Sequence, residues 1–93
     1  MEQINKQTIV KRAKDIVFNA IDDEIVMLSI ENGEYYGLDA IGSRVWKLIE
    51  NPVSFEYITS ELIQEFNVSE STCIKDVSEF LISLKEKNLI ILD

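Results

Sequence analysis

The chain is expected to fold as an α+β domain of winged-helix-like type, an N-terminal three-stranded antiparallel meander followed by three helices. Three observations predict this. Between residues 16 and 38, runs of β-branched and aromatic residues are punctuated by Asp22-Asp23-Glu24 and by Asn32-Gly33. From residue 40 onward, apolar residues recur at helical rather than alternating spacing. Asn51-Pro52 and Asn67-Val68-Ser69 then cut that second half into three helical segments.

The elements follow in order. Residues 1–7 are polar and expected to be loose. Residues 8–12 have the composition of a short strand. The meander proper runs through residues 16–21, 25–30 and 34–38. Asn32-Gly33 is expected to supply the two positive-φ residues of a tight hairpin turn. Asp39 is placed to cap the first helix, residues 40–50, in which Ile41, Val45, Leu48 and Ile49 form the apolar stripe. Ser54 caps the second helix, with Phe55, Ile58, Leu62 and Phe66 on one face. Ser69 caps the third, which runs to about Lys87, where Asn88 offers a left-handed stop. Residues 89–92 are apolar and suited to dock as a strand.

Composition bounds the function more than it reveals it. Ninety-three residues, 46% of them hydrophobic, with one proline and three glycines, suit one small ordered domain spanning residues 1–93. The net charge is −8, and the acidic excess is spread along the chain. A surface that grips phosphates needs a basic face, so nucleic acid and anionic membrane are poor partners. No apolar stretch has the length of a membrane span, and the first residues lack the apolar core of a secretory signal. The single cysteine, Cys73, allows no internal disulfide, and a cytoplasmic location is expected.

Catalytic chemistry is hard to assemble from these residues. There is no histidine, which removes the commonest general base and metal ligand. One cysteine cannot form a thiolate metal site, and Cys73 reads as a small buried hydrophobe. The three glycines lack the spacing of a phosphate loop. The 22–24 carboxylate cluster reads as a solvated turn. Trp46 reads as core, and Arg44 as a solvated or salt-bridging residue, the alternative being a contact to a partner's carboxylate. No catalytic residue, metal ligand or cofactor is predicted.

What remains is a surface. A strand as short as 34–38, last in a meander, is expected at a sheet edge, where unpaired backbone groups can accept another extended chain. Tyr35 and Tyr36 alternate across it, so one faces the core and the other faces solvent or a partner. Gly37 either permits a bend or lets a second backbone come close. On the third helix, Ile74, Val77, Leu81 and Leu84 form a core stripe that Cys73 and Phe80 widen, with Ile82 lying away from it. Either the helix is buried on two sides or this shoulder lines an apolar groove beside the sheet. Winged-helix domains often read DNA, but this helix carries no arginine and a near-neutral to acidic face, so a DNA-binding regulator is the weaker reading.

The run from Tyr35 to Ile49 (Tyr-Tyr-Gly-Leu-Asp-Ala-Ile-Gly-Ser-Arg-Val-Trp-Lys-Leu-Ile) resembles the PqqD-like family, as do Val53-Ser54, Asp76-Val77, Phe80-Leu81-x-x-Leu84 and the Asn88-Leu89-Ile90 close. The family usually has glycine where this chain has Asn88, and asparagine also tolerates the left-handed cap. Within the family, the Asn-Gly-x-Tyr-Tyr turn looks most like the stand-alone leader-binding proteins of lasso peptide biosynthesis. The resemblance implies a non-catalytic recognition element for ribosomally made, modified peptides (a RiPP recognition element). It implies that the leader of a precursor peptide binds as an added strand on Glu34, Tyr35, Tyr36, Gly37 and Leu38, against a helix wall of Cys73, Asp76, Val77, Phe80, Leu81 and Leu84. Asp76 would then meet a leader lysine or a backbone amide, or simply remain solvated. The implied partners are a leader peptidase, a transglutaminase-like cysteine protease, and an ATP-dependent cyclase. The alternative within the family is a peptide chaperone for a radical SAM enzyme.

Overall fold

The structure, a computed structural model, describes residues 4–93. Its elements are β1 (Ile9–Arg12), β2 (Ile16–Ile21), β3 (Glu24–Ser29), β4 (Glu34–Gly37), α1 (Ala40–Leu48), β5 (Val53–Ser54), α2 (Phe55–Phe66), α3 (Glu70–Glu86) and β6 (Ile90–Leu92). The expected meander is present as an antiparallel sheet in the order β2-β3-β4, so β4 is an edge strand. The three helices follow it, as the change in apolar period predicts.

A second small sheet, β5-β1-β6, gathers both ends of the chain. Ile9 lies opposite Ser54, and Val10 lies between Val53 and Leu92. The two-residue strand β5 is not visible as a strand pattern. It exists because Ser54, as N-cap of α2, takes the extended conformation (φ −78°, ψ 154°) that capping requires, and β1 is there to pair with it. Of residues 1–7, expected to be loose, 1–3 lie outside the described residues. Asn5 closes a turn with Thr8 (Thr8 N to Asn5 O, 3.1 Å), and the Glu56 amide donates to the Lys6 carbonyl at 3.2 Å.

The turns divide their work differently from the expectation. The tight two-residue turn with both φ values positive is Asp22 (50°) and Asp23 (70°), between β2 and β3. At Asn32-Gly33 only Gly33 is left-handed (67°), and the β3–β4 connection is a four-residue loop closed by Gly33 N on Ser29 O at 2.8 Å. In this loop the Asn32 side chain reaches away from the turn. Its Nδ2 donates to the Lys87 carbonyl at the end of α3 (2.8 Å) and to the Tyr36 hydroxyl (3.3 Å).

The caps fall where the sequence puts them. Asp39 accepts from Gly42 N (2.7 Å), Ser54 from Tyr57 N (3.1 Å) and Ser69 from Thr72 N (3.3 Å). Helix α2 ends on left-handed Asn67 (φ 52°), and α3 gives way to left-handed Asn88 (φ 60°). The core lies between the meander and the helices. Ile25 and Met27 of β3 face Val45, Trp46, Leu62, Val77, Leu81 and Leu84, all buried. Trp46 is fully covered and meets Phe18 edge-on at 5.8 Å, with the Arg12 guanidinium 4.6 Å above its ring and 4.7 Å from that of Phe18. Burial there pulls the Arg12 pKa down, against the raising influence of Glu50. Two members of the expected apolar stripes, Ile41 and Phe66, are instead 43% and 37% exposed. Among the described residues, no helix is long and apolar enough to cross a membrane.

Candidate functional site

Ladder geometry decides which backbone groups of β4 are free. Leu38 N donates to Ile25 O at 2.9 Å, and Tyr36 and Glu34 face Met27 and Ser29. In an antiparallel pair the bonding residues alternate, so 34, 36 and 38 point their N–H and C=O groups at β3. Those of Tyr35 and Gly37 point outward, to the open side of the sheet. Among the described residues no hydrogen bond is made to the outward N–H groups of Tyr35 or Gly37, and Gly37 has clear space on the sheet face where a Cβ would stand.

Both ends of β4 are anchored. At its start, Asn32 ties the β3–β4 loop to the C-terminal carbonyl of α3, and the Tyr36 hydroxyl donates to Glu34 Oε2 at 3.1 Å. At its end, the buried Ser43 hydroxyl bridges two strands, accepting from Ile25 N (2.8 Å) and donating to Leu38 O (3.2 Å). The polypeptide then enters α1 at once, and the absent side chain of Gly42 makes room for the Phe80 ring of α3, which lies 3.0 Å from where a Cβ would be. Thus β4 runs alongside α3, from Lys87 back towards Phe80. Helix α3 packs closely on α2 and β6 and gives β4 no comparable backing. Between strand and helix lies a strip flanked by Tyr36 and Phe80, each half-buried against the core.

The expected site residues separate into two layers. Glu34, Tyr35, Gly37 and Asp76 are exposed, with Tyr35 the most open at 75%. Leu38, Cys73, Val77, Leu81 and Leu84 are buried and form the floor that holds the strip in place. Tyr36 and Tyr35 do alternate as the pleat requires: Tyr36 leans on the core, and Tyr35 stands on the outer face in a row with Leu28 and Val17. Cys73 and Val77 border a small apolar groove that also meets Ile41, Leu62, Phe66 and Val68. A second, open groove lies between Asp39, Ile41, Gly42, Asp76 and Phe80. Ile41 and Gly42 are the additions that sequence reasoning missed. Their signal was position: the residues just after an N-cap next to an edge strand.

Electrostatically the site is mild. Burial pushes the Cys73 thiol above its usual range, helped by the Asp76 carboxylate, so the thiol stays protonated and unreactive. Among the described residues, no cluster of potential metal ligands forms. Arg44 is engaged with Glu65 through bonds of 2.8, 3.0 and 2.9 Å. The arrangement offers backbone donors, backbone acceptors and apolar surface.

Residues 24–90 match the family PqqD, coenzyme PQQ synthesis protein D. The chain belongs to the PqqD family. A solved structure described as TbiB1 in complex with the TbiA(beta) leader peptide is similar to this PqqD chain, with 39% identity and a TM-score of 0.82, covering 86% of this chain and 93% of that one. A second, lasso peptide synthetase B1 complexed with the leader peptide, is 21% identical with a TM-score of 0.78, over 88% and 96% of the two chains, and shares the fold. No curated protein sequence matches significantly.

Proposed function

We propose that this PqqD-family chain is a non-catalytic recognition element that binds the leader of a lasso precursor peptide as a fourth strand on β4. The leader lies in the strip against α3 and is presented there to a leader peptidase. The observation that carries this reading is the open edge of β4 beside an apolar strip, in a chain 39% identical to a protein solved with a leader peptide. Tyr35 and Gly37 supply the strand-pairing groups. Tyr36, Phe80 and the grooves around Ile41 and Asp76 select the leader's side chains. The low chemical reactivity of the site suits a carrier. The 39% identity to TbiB1, a protein solved with a leader peptide, supports a leader-peptide ligand, and the choice of a lasso leader over the precursor of a radical SAM enzyme rests on the resemblance of the Asn-Gly-x-Tyr-Tyr turn.

The test is titration with a synthetic lasso-precursor leader peptide, followed by amide shifts. A complex of micromolar affinity or better is expected, about −8 kcal/mol. Gly37→Pro removes an outward donor while leaving the β3 ladder whole, and is expected to weaken binding at least about tenfold. Gly37→Ala, whose Cβ enters open space, serves as the control. Undiminished affinity of a folded Gly37→Pro variant, or shifts confined to residues remote from β4 and α3, overturns the binding mode.

A further inference from the structure

The meander has a second edge, and its composition makes it dangerous. Strand β2 reads Ile16-Val17-Phe18-Asn19-Ala20-Ile21, without charge or proline, and Val17, Phe18 and Ile21 are 56%, 42% and 57% exposed. Such a strand is a template for pairing with another copy. The Asp15 carbonyl accepts from Ile30 N at 3.2 Å, so by alternation residues 15, 17, 19 and 21 bond towards β3, and Ile16, Phe18 and Ala20 turn their N–H and C=O groups outward. One of these outward donors is already occupied: the Ala20 amide donates to Asn19 Oδ1, its neighbour's side chain, at 3.0 Å. Asn19 is also the one polar residue of the strand. On the outer face it stands between Val17 and Ile21 and opposite Val26.

We propose that Asn19 is a specificity-determining residue that closes the β2 edge, so that the sheet accepts an added strand at β4 only. It acts in two ways. Its amide oxygen occupies the Ala20 N–H that an incoming strand needs, and its polarity interrupts what is otherwise a wholly apolar hexapeptide. Among the described residues no side chain is bonded to the outward donors of Tyr35 or Gly37 on β4, nor to those of Ile16 or Phe18 on β2, so the closure acts at the Ala20 end of β2. The functional meaning rests on strand addition at β4, but the test does not need a peptide.

The test is sedimentation of the whole chain from micromolar to millimolar concentration. The wild type is expected to remain a 10.7 kDa monomer. Asn19→Val, which creates Ile-Val-Phe-Val-Ala-Ile and frees the Ala20 donor, is expected to shift reversibly to dimer and larger species. Adding Ala20→Pro, which deletes the outward donor and spares the β3 ladder, is expected to restore the monomer. Asn19→Asp, which keeps the acceptor, is expected to stay monomeric. An Asn19→Val variant that is folded by circular dichroism and monomeric throughout overturns the proposal, as does a wild type that associates and is dispersed by Ala20→Pro. Failure of leader binding at β4, by contrast, would count against the proposed function alone.

Discussion

Ser43→Ala should be among the most costly single-atom deletions in this chain. The Ser43 hydroxyl is buried, accepts the Ile25 amide at 2.8 Å and donates to the Leu38 carbonyl at 3.2 Å. These two backbone groups lie where the β3–β4 ladder ends and α1 begins. Alanine leaves both unpaired in a dry setting, and each such group costs about 1–3 kcal/mol. Allowing for the desolvation that the hydroxyl itself no longer requires, the loss is about 2–4 kcal/mol. A domain of this length has roughly 5–14 kcal/mol in total. Urea unfolding followed by circular dichroism measures the change directly, with an unaltered slope showing that the transition is the same one. Ser43→Cys, of similar volume and weaker hydrogen bonding, separates polar satisfaction from packing and should fall between the two. A loss below about 0.5 kcal/mol would refute the reasoning, because it would mean that water reaches Ile25 N and Leu38 O. Since the same hydroxyl fixes the end of β4, leader affinity is expected to fall with stability in the alanine variant.

Other expectations can be checked as readily. The Cys73 thiol, held protonated by burial and by Asp76, should react slowly with Ellman's reagent at neutral pH in the folded protein and quickly once unfolded; rapid labelling of the native state would contradict its placement. Gly42→Ala should keep the fold, because its new Cβ meets side chains rather than backbone, the Phe80 ring at 3.0 Å and the capping Asp39 Oδ1 at 3.1 Å, yet it should weaken leader binding several-fold by displacing that ring; unchanged affinity would remove Phe80 from the strip. The Arg44 hydrogen bonds hold the Glu65 carboxyl below its usual range, so its contribution is present at neutral pH and lost as pH falls through that lowered value. Arg44→Met should therefore narrow its small deficit against wild type on acidification, and high salt should do the same; a gap that widens in acid would reverse the sign. Phe80→Ala should cost leader affinity more than stability, read by titration and urea unfolding side by side.

How far the sequence reaches depends on whether a feature is local. The caps at Asp39, Ser54 and Ser69 and the left-handed stop at Asn88 are decided by a residue and its near neighbours, and they stand where the sequence puts them. The meander and the edge position of β4 follow from alternation and spacing. What was illegible depends on distant partners. Asn32 reads as half of a two-residue turn, but it lies in a four-residue loop and its side chain bonds the distant Lys87 carbonyl. Val53-Ser54 becomes a strand because β1 passes alongside. The layering of the site is likewise non-local. Leu81 and Leu84 share a helical face with Phe80, and only the packing against β6 and the sheet decides which of them is floor and which is wall.

That layering explains how so small a chain can leave a groove open. An apolar trough normally competes with the core for hydrophobic residues, and a domain of this size has few to spare. Here four residues of α3, Cys73, Val77, Leu81 and Leu84, complete the core from its side, while β5-β1-β6 ties the two ends of the chain to α2 without using the meander's edge. Strand β4 is consequently held by its ends, through Asn32 and Ser43, and by one neighbour, β3. In its middle Tyr36 serves the core, while the outward backbone groups of Tyr35 and Gly37 carry none of the fold's hydrogen bonds among the described residues. Backbone groups left free in this way give affinity with little demand on side-chain identity, and the few half-buried residues beside them supply the discrimination. The same economy leaves the opposite edge, β2, exposed at Val17, Phe18 and Ile21, which is where the proposed role of Asn19 in limiting strand addition would matter.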